Sequence, residues 1–143
     1  MNETNQQSWR AMLEFVSTFP EPLWSDWKLF MGSLLRACID TGLDQHFRAG
    51  QSMSQIVIST AKEHGLEKYN PPPPRITLGW NKTEGERQYF VAYSHSNLFF
   101  SAPETLTVVN SEGAFTVLRS YMTQLWRETQ PAEALPRALT EGT

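Results

Sequence analysis

The sequence predicts an α+β fold, in which an antiparallel meander of three or four strands packs with three N-terminal helices and one C-terminal helix. Three observations support this prediction. Apolar and polar residues alternate through short segments between positions 75 and 109. Apolar residues recur at helical spacing on both sides of that region. Proline, glycine and helix-capping residues separate the segments, as they do at the ends of helices and strands.

Four segments of the central region have the composition of strands: 75–80, 87–93, 98–101 and 105–109. Short polar links separate them, so consecutive strands are expected to pair with one another. The second segment carries apolar residues on both faces, which favours a central position in the sheet. Pro103 precedes the last segment and indicates a sheet edge or a chain reversal there.

Two helices are predicted before the sheet from apolar residues at helical spacing. The first follows a candidate cap at Ser8 and ends before Pro20, since proline cannot continue a helix. The second follows a candidate cap at Ser25 and ends at Gly42, a residue that readily takes the left-handed conformation. Residues 43–47 are expected to add one short helical turn.

The segment 52–64 is predicted to be a third helix. Ser52 and Gln55 have the spacing of a capping box, in which each side chain bonds the backbone amide of the other residue. Gly65 follows at the position where helices commonly end. The β-branched residues at 56–58 are the one local argument for a strand instead.

The chain is expected to form a single domain over residues 8–130, with flexible termini at 1–7 and 131–143. The helix at the C-terminal end of this domain is predicted to follow a cap at Asn110 or Ser111. Its apolar stripe is the strongest amphipathic pattern in the sequence.

Residues 71–74 are four consecutive prolines, which predict a stiff polyproline II connector; the alternative is a docking segment for a proline-binding domain.

Aromatic residues make up 12% of the chain, and a domain of this size is expected to bury most of them. The alternative is a sheet face whose exposed aromatic rings stack on RNA bases. The predicted core positions are Leu34, Ile56, Val91, Tyr93, Leu118 and Leu125.

Composition argues against several classes of protein. A formal net charge of -3 gives no electrostatic attraction to nucleic acid or to anionic lipid. Cys38 is the single cysteine, so no disulfide can form within the chain. No apolar run is long enough to cross a bilayer, and the first residues lack the pattern of a signal peptide. A cytoplasmic protein without membrane contact is therefore expected.

The sequence lacks the local signatures of phosphate loops, dinucleotide-binding folds, nucleophile elbows and paired metal ligands. Its three histidines and one cysteine do not fall at ligand spacing on one element. No catalytic residue, cofactor or metal is therefore predicted. Whether the chain is an enzyme stays open, with a non-catalytic role favoured.

Five residues are candidates for binding a small ligand. His46 and Arg48 precede the predicted third helix, whose free N-terminal amides would attract an anion. Arg75, Tyr93 and His95 lie at one end of the predicted hairpin and could face a pocket between helices and sheet. The competing interpretation is that the charged groups are solvated at the surface and that Tyr93 belongs to the core.

Three functions follow as hypotheses. The favoured one is a small interaction or regulatory module that self-associates as a homo-oligomer or binds another protein, through an edge strand or the terminal helix. The second is a small-molecule-binding protein, or a weak enzyme, that uses the five candidate residues. The third is a winged-helix-like DNA-binding protein with Lys82 and Arg87 in its wing, which the acidic net charge disfavours.

Overall fold

The computed structural model describes residues 4–61, 73–95 and 103–141. Four α-helices, one 3-10 turn and five strands form in these ranges. In chain order they are α1 (Asn5–Ser17), α2 (Ser25–Asp40), the 3-10 turn (Leu43–Gln45), β1 (Arg48–Ser52), β2 (Gln55–Ser59), β3 (Arg75–Thr83), β4 (Glu86–Ser94), β5 (Thr105–Val109), α3 (Ala114–Thr129) and α4 (Arg137–Thr140).

The sheet is an antiparallel meander with the strand order β1-β2-β3-β4-β5. Strands β3 and β4 pair along their full nine-residue lengths. They connect through Glu84 and Gly85, which have positive φ angles of 52° and 83°. Two such residues in succession give a turn whose twist matches that of an antiparallel hairpin. The α+β class is confirmed, and the strand count is corrected from three or four to five in the described residues.

The predicted third helix at 52–64 is wrong over its described part, because residues 48–59 form the β1–β2 hairpin. Ile56 and Ile58 alternate at the period of a strand, and both are fully buried against the helices. Ser52 and Gln55, expected to cap a helix, instead pair with each other across the turn. Long-range burial therefore outweighs the capping pattern. Residues 62–64 lie outside the described ranges.

Two other predictions concern residues outside the described ranges and stay predictions: the strand at 98–101 and the conformation of the first two prolines of 71–74. Within the described ranges, Ser25 is the first residue of α2 and not its cap: Trp24 is at the cap position, and the Ser25 hydroxyl donates to the Glu21 carboxylate at 3.1 Å. Gly42 has a φ angle of 85°, in the left-handed region that was expected of it. The C-terminal helix begins at Ala114, later than Asn110, whose side-chain oxygen instead accepts a hydrogen bond from the Gly113 amide.

Helix α1 begins earlier than predicted and is capped by Thr4 rather than by Ser8. The Thr4 hydroxyl accepts a hydrogen bond from the Gln7 amide, and the Gln7 side chain accepts one from the Thr4 amide. This reciprocal pair is the capping box. Ser8 is consequently one turn inside the helix, where it is fully buried.

The core lies between the helices and one face of the sheet. Two tryptophans anchor it: Trp9 and Trp27 are fully buried, and each indole N–H donates to a backbone oxygen, of Phe47 and Ser54 respectively. Bonding the N–H removes the penalty for burying it, so both rings contribute their full apolar area. All six predicted core residues are buried: Leu34, Ile56, Val91, Tyr93, Leu118 and Leu125.

The segment after Pro131 makes contacts that the sequence did not predict. The indole N–H of Trp126 donates to the Ala134 oxygen at 3.1 Å. The Arg119 guanidinium donates to the backbone oxygens of Ala138 and Glu141, so α4 lies against α3. Flexibility of the chain ends is a property in solution and stays a prediction. None of the helices in the described ranges has the length and apolarity needed to cross a membrane.

Candidate functional site

The two edges of the sheet differ in how they are covered. At the β1 edge, the Ala49 amide donates to the Ser8 hydroxyl at 3.0 Å. The Trp9 indole donates to the Phe47 oxygen at 2.9 Å, just before the strand. Helix α1 therefore lies against this edge and satisfies backbone groups that a further strand would otherwise pair with.

The β5 edge lacks such cover in the described part of the chain, where no strand pairs with its outer side. Its five residues, Thr-Leu-Thr-Val-Val, include no charge and no proline. Leu106 and Val108 are 44% and 54% exposed. Charged residues, prolines and bulges are the usual means of preventing strand addition, and this strand has neither of the first two.

The strand register places both exposed side chains on the sheet face that is turned away from the helices. Val108 lies opposite Phe90, and Leu106 lies opposite Ala92, on the neighbouring strand β4. None of these four residues belongs to the core that the helices form. We call this the outer face; Leu106 and Val108 on β5 are exposed on it, whereas Phe90 and Ala92 on β4 are buried.

The helix-facing side of β5 is held in place by a side-chain contact. The hydroxyls of Thr107 and Tyr121 are hydrogen-bonded at 2.6 Å, which ties the strand to α3. Tyr121 is buried and Thr107 is half-buried, so this bond is partly shielded from water. Strand β5 is thus held in position, because it pairs with β4 on one side and its helix-facing side is hydrogen-bonded to α3.

Three of the five predicted ligand residues come together at the end of β4. The Arg75 guanidinium donates to the His95 oxygen at 3.3 Å. The rings of Tyr93 and His95 lie 5.0 Å apart, centroid to centroid. Both side chains bond the same carboxylate of Glu128: the Tyr93 hydroxyl donates at 3.0 Å, and His95 Nε2 lies 2.7 Å from it.

Two glutamates that were not predicted as site residues complete this group. Glu128 comes from α3, and Glu104 accepts a hydrogen bond from the His95 backbone amide at 2.9 Å. That bond is the main cause that lowers the pKa of Glu104. Burial, reinforced by the bond to Glu128, raises the pKa of Tyr93. These polar groups hydrogen-bond to one another. Their role in binding a ligand stays a prediction.

His46 and Arg48 lie elsewhere in the fold. The His46 ring packs edge-on against Trp126 with 5.8 Å between centroids. Arg48 is buried in β1, opposite Ser59. Because the segment after Arg48 is a strand, the helix N-terminus on which the anion hypothesis depended is not formed in residues 48–59.

An open groove of about 740 Å³ lies beside the far end of β5, and none of the five predicted ligand residues lines it. It runs between the β3–β4 turn and the link from β5 to α3. Its walls include Arg87, Tyr89, Val108 and Asn110. The groove therefore borders the β5 edge, at the opposite end of β4 from the His95 group.

Arg87, expected in the wing of a DNA-binding fold, is held by contacts within the protein. Its guanidinium lies 4.1 Å from the Trp24 ring centroid and 5.1 Å from that of Trp80. It donates to Asp26 at 2.6 Å and to the Leu23 oxygen at 3.0 Å. An arginine with these partners fixes the β3–β4 hairpin to the start of α2 and is not presented to a phosphate backbone.

The Asp26 carboxylate at this junction makes stability depend on pH. Burial alone would raise the pKa of Asp26, but hydrogen bonding by Tyr89 and the charge of Arg87 together lower it below the ordinary value of 3.8. A lowered pKa contributes stability that is present above pH 3.8 and is lost as the pH falls through the folded-state value. The contribution is at most about 1 kcal/mol, because Asp26 is half exposed and solvent screens the pair.

We therefore expect Asp26→Asn to remove part of the stability loss that the protein shows on acidification from about pH 4 to pH 2. The measurement is the urea midpoint at a series of pH values. Asp40→Asn, at the exposed end of the same helix, is the matched control. Identical acid profiles for Asp26→Asn and the unchanged protein would contradict the assignment.

In the described ranges, the fold and the site define an α+β protein with helices on one face of a five-stranded antiparallel sheet, in which no further strand pairs with the apolar strand β5 at one edge. Comparison with known proteins finds no matching family model, no matching curated protein and no matching solved structure. Among the described residues, no three or more His, Cys, Asp or Glu side chains lie together as a metal site would require.

Proposed function

We propose that this chain is a small interaction module that self-associates through its β5 edge. One observation carries the proposal: β5 is an uncharged edge strand with exposed Leu106 and Val108, whereas the opposite edge is covered by α1. An edge of this kind offers both backbone hydrogen-bonding groups and apolar side chains to an added strand.

The terminal helix, the other contact surface expected from the sequence, does not support the proposal equally. The apolar stripe of α3 faces the core, where Leu118, Met122 and Leu125 are fully buried. That stripe is not available to a partner unless the domain opens. The β5 edge is therefore the surface to test first.

We place this module in the cytoplasm, as a homodimer, without nucleic-acid or membrane contact. Cys38 is fully buried among apolar side chains, and that burial raises the pKa of its thiol. A thiol in that state is chemically inert, which agrees with a packing role in a reducing compartment. The mildly acidic net charge of -3 likewise favours a protein partner over an anionic polymer.

Placing two lysines on β5 is expected to abolish self-association. In Leu106→Lys with Val108→Lys, the charges repel a second copy and must be desolvated when a strand is added. Light scattering coupled to gel filtration should show a mass above the monomer that rises with micromolar protein concentration. The double variant should run as a monomer under the same conditions.

The matched control is Leu29→Lys, which changes a leucine that is 70% exposed on α2. It should associate like the unchanged protein. A strictly monomeric unchanged protein, or equal loss of association in both variants, would refute the proposed function.

A second candidate function, small-molecule binding or weak catalysis, is favoured by the meeting of Arg75, Tyr93 and His95 with two glutamates. It predicts that His95→Ala removes binding or turnover of a ligand found by a thermal-shift screen. A screen without any ligand that depends on His95 would count against it.

The third candidate, DNA binding, loses its main support. The helix expected at 52–64 is a β-hairpin over its described residues, and Arg87 is engaged with Asp26. A gel-shift at low salt without a retarded band would dispose of this function.

A further inference from the structure

We infer that the partner on the β5 edge is a second copy, added antiparallel about a two-fold axis that makes Thr107 oppose its own copy. The five described strands of each copy then join into one sheet of ten. The inference rests on the proposed function and specifies its partner and register. The symmetry of the edge restricts the possible registers, and the residues that each register brings together favour one of them.

Two-fold symmetry restricts how the edges can pair. In an antiparallel pair, directly opposed residues point to the same face of the sheet. A two-fold axis that makes two identical edge strands antiparallel is perpendicular to the sheet, so both outer faces lie on the same side. Each outer-face residue of β5 must then oppose an outer-face residue of the partner. One residue of β5 must therefore lie at the axis, where it opposes its own copy in the partner.

Three residues can lie at the axis with most of β5 paired: Leu106, Thr107 and Val108. Only the axis at Thr107 pairs all five residues of the strand. An axis at Leu106 would place Glu104 opposite the partner subunit's Val108. An axis at Val108 would place the partner subunit's Asn110 opposite Leu106. Both shifted registers cover an apolar side chain with a polar one and lose pairing within the strand.

The Thr107 register brings like chemistry together. On the outer face, Leu106 lies opposite the partner subunit's Val108, and the same pair recurs on the other side of the axis. These are the two exposed apolar side chains of the strand, and cross-strand apolar pairs stabilise a sheet. On the helix-facing side, Thr105 lies opposite the partner subunit's Val109. No charged side chain opposes another charge of the same sign along the strand.

The size of the contact sets the strength to be expected. Five residue pairs and four apolar side chains form a small interface, of the kind found in transient complexes. Association should therefore be reversible, with a dissociation constant in the micromolar range rather than that of an obligate dimer. Cross-linking can detect such a pair because it captures the complex as it forms.

Cysteine cross-linking tests the register directly. Opposed Cβ atoms in an antiparallel pair are about 4.5–5.5 Å apart, whereas diagonal ones are about 7–8 Å apart, and a disulfide needs the shorter separation. We expect Leu106→Cys mixed with Val108→Cys to give a disulfide-linked dimer under mild oxidation. Either variant alone should give none. Cys38 is fully buried and stays out of the reaction.

The possible outcomes separate the inference from the proposed function. Cross-linking of Leu106→Cys alone, or of Val108→Cys alone, would mean an axis at that residue and would overturn the Thr107 register. Dimers by light scattering without any cross-link at β5 would overturn the β5 pairing altogether. Monomers by light scattering would refute the proposed function as well. Circular dichroism of each variant confirms that it is folded before oxidation.

Discussion

Replacing Trp27 by alanine is expected to lower the free energy of unfolding by about 3–5 kcal/mol, the cost typical of a large core side chain. Trp27 is fully buried, and its ring packs with those of Phe15, Phe19 and Trp24. Its indole N–H also donates to the Ser54 oxygen in the β1–β2 turn. Alanine leaves a cavity and an unsatisfied carbonyl at once. Urea unfolding followed by far-UV circular dichroism measures the loss.

Two further variants separate these contributions. Trp27→Phe keeps an aromatic ring but loses the N–H, so it should cost about 1–3 kcal/mol from the unsatisfied Ser54 oxygen and the smaller ring. Leu29→Ala, two residues along the same helix and 70% exposed, should change stability by no more than about 0.5 kcal/mol. Equal effects of Trp27→Ala and Leu29→Ala would show that Trp27 does not anchor the core.

The reason for the size of the effect is that Trp27 joins the helices to the β1–β2 hairpin. Ser54 receives two indole bonds, from Trp27 to its backbone oxygen and from Trp80 to its hydroxyl. The preceding residue, Met53, has a φ angle of 59° and is 87% exposed. A methionine in the left-handed region is strained, so the bonds to Ser54 help to hold the turn in that conformation.

The sequence was a good guide where the local signal and the long-range contacts agree. Strand 75–80 alternates cleanly, and Ile76 and Leu78 enter the core as that alternation requires. Gly42 follows the end of α2 with a positive φ angle, because the left-handed conformation is a local property of glycine. In these elements each residue needs only its neighbours to specify its structure.

The β1–β2 hairpin was missed because its local signals conflict. Ser52 and Gln55 fit a helix cap, whereas Met53 and Ser54 lack the glycine or asparagine typical of a two-residue hairpin turn. A short apolar run such as 56–58 does not distinguish helix from strand. The decision comes from pairing with β3, where Ile56 opposes Leu78. Such pairing is between residues far apart in the sequence, and composition does not reveal it.

The candidate site likewise has a part that local sequence predicts and a part that depends on long-range contacts. The β5 edge was expected from the apolar strand that ends the meander. The contact between Arg87 and Asp26 joins residues 61 positions apart, and that between His95 and Glu128 joins residues 33 apart. A single sequence does not indicate these pairs, because each of the four residues is of a type that is ordinarily solvated at the protein surface.

Replacing Gly79 by alanine is expected to destabilise the protein by about 1–3 kcal/mol through overpacking. A Cβ atom added at Gly79 would lie 2.5 Å from Cζ and 2.9 Å from Cε1 of Phe90, distances that require the ring to move. Gln55 Nε2, at 3.1 Å, narrows the remaining space. Since alanine is normally preferred to glycine inside a strand, a loss of stability here is specific to the Phe90 contact. Thermal unfolding gives the comparison.

Gly50→Ala is the matched control, because a Cβ atom at Gly50 in β1 meets nothing within 4 Å. It should be neutral or stabilising by about 0.5 kcal/mol.

Phe90→Leu, combined with Gly79→Ala, should recover part of the loss, since the double variant relieves the clash. Phe90 lies opposite Val108 on the outer face, so a displaced ring should also weaken association at β5. If Gly79→Ala behaves like Gly50→Ala, the ring does not rest on Gly79, and the apolar outer face beside β5 is not built as described.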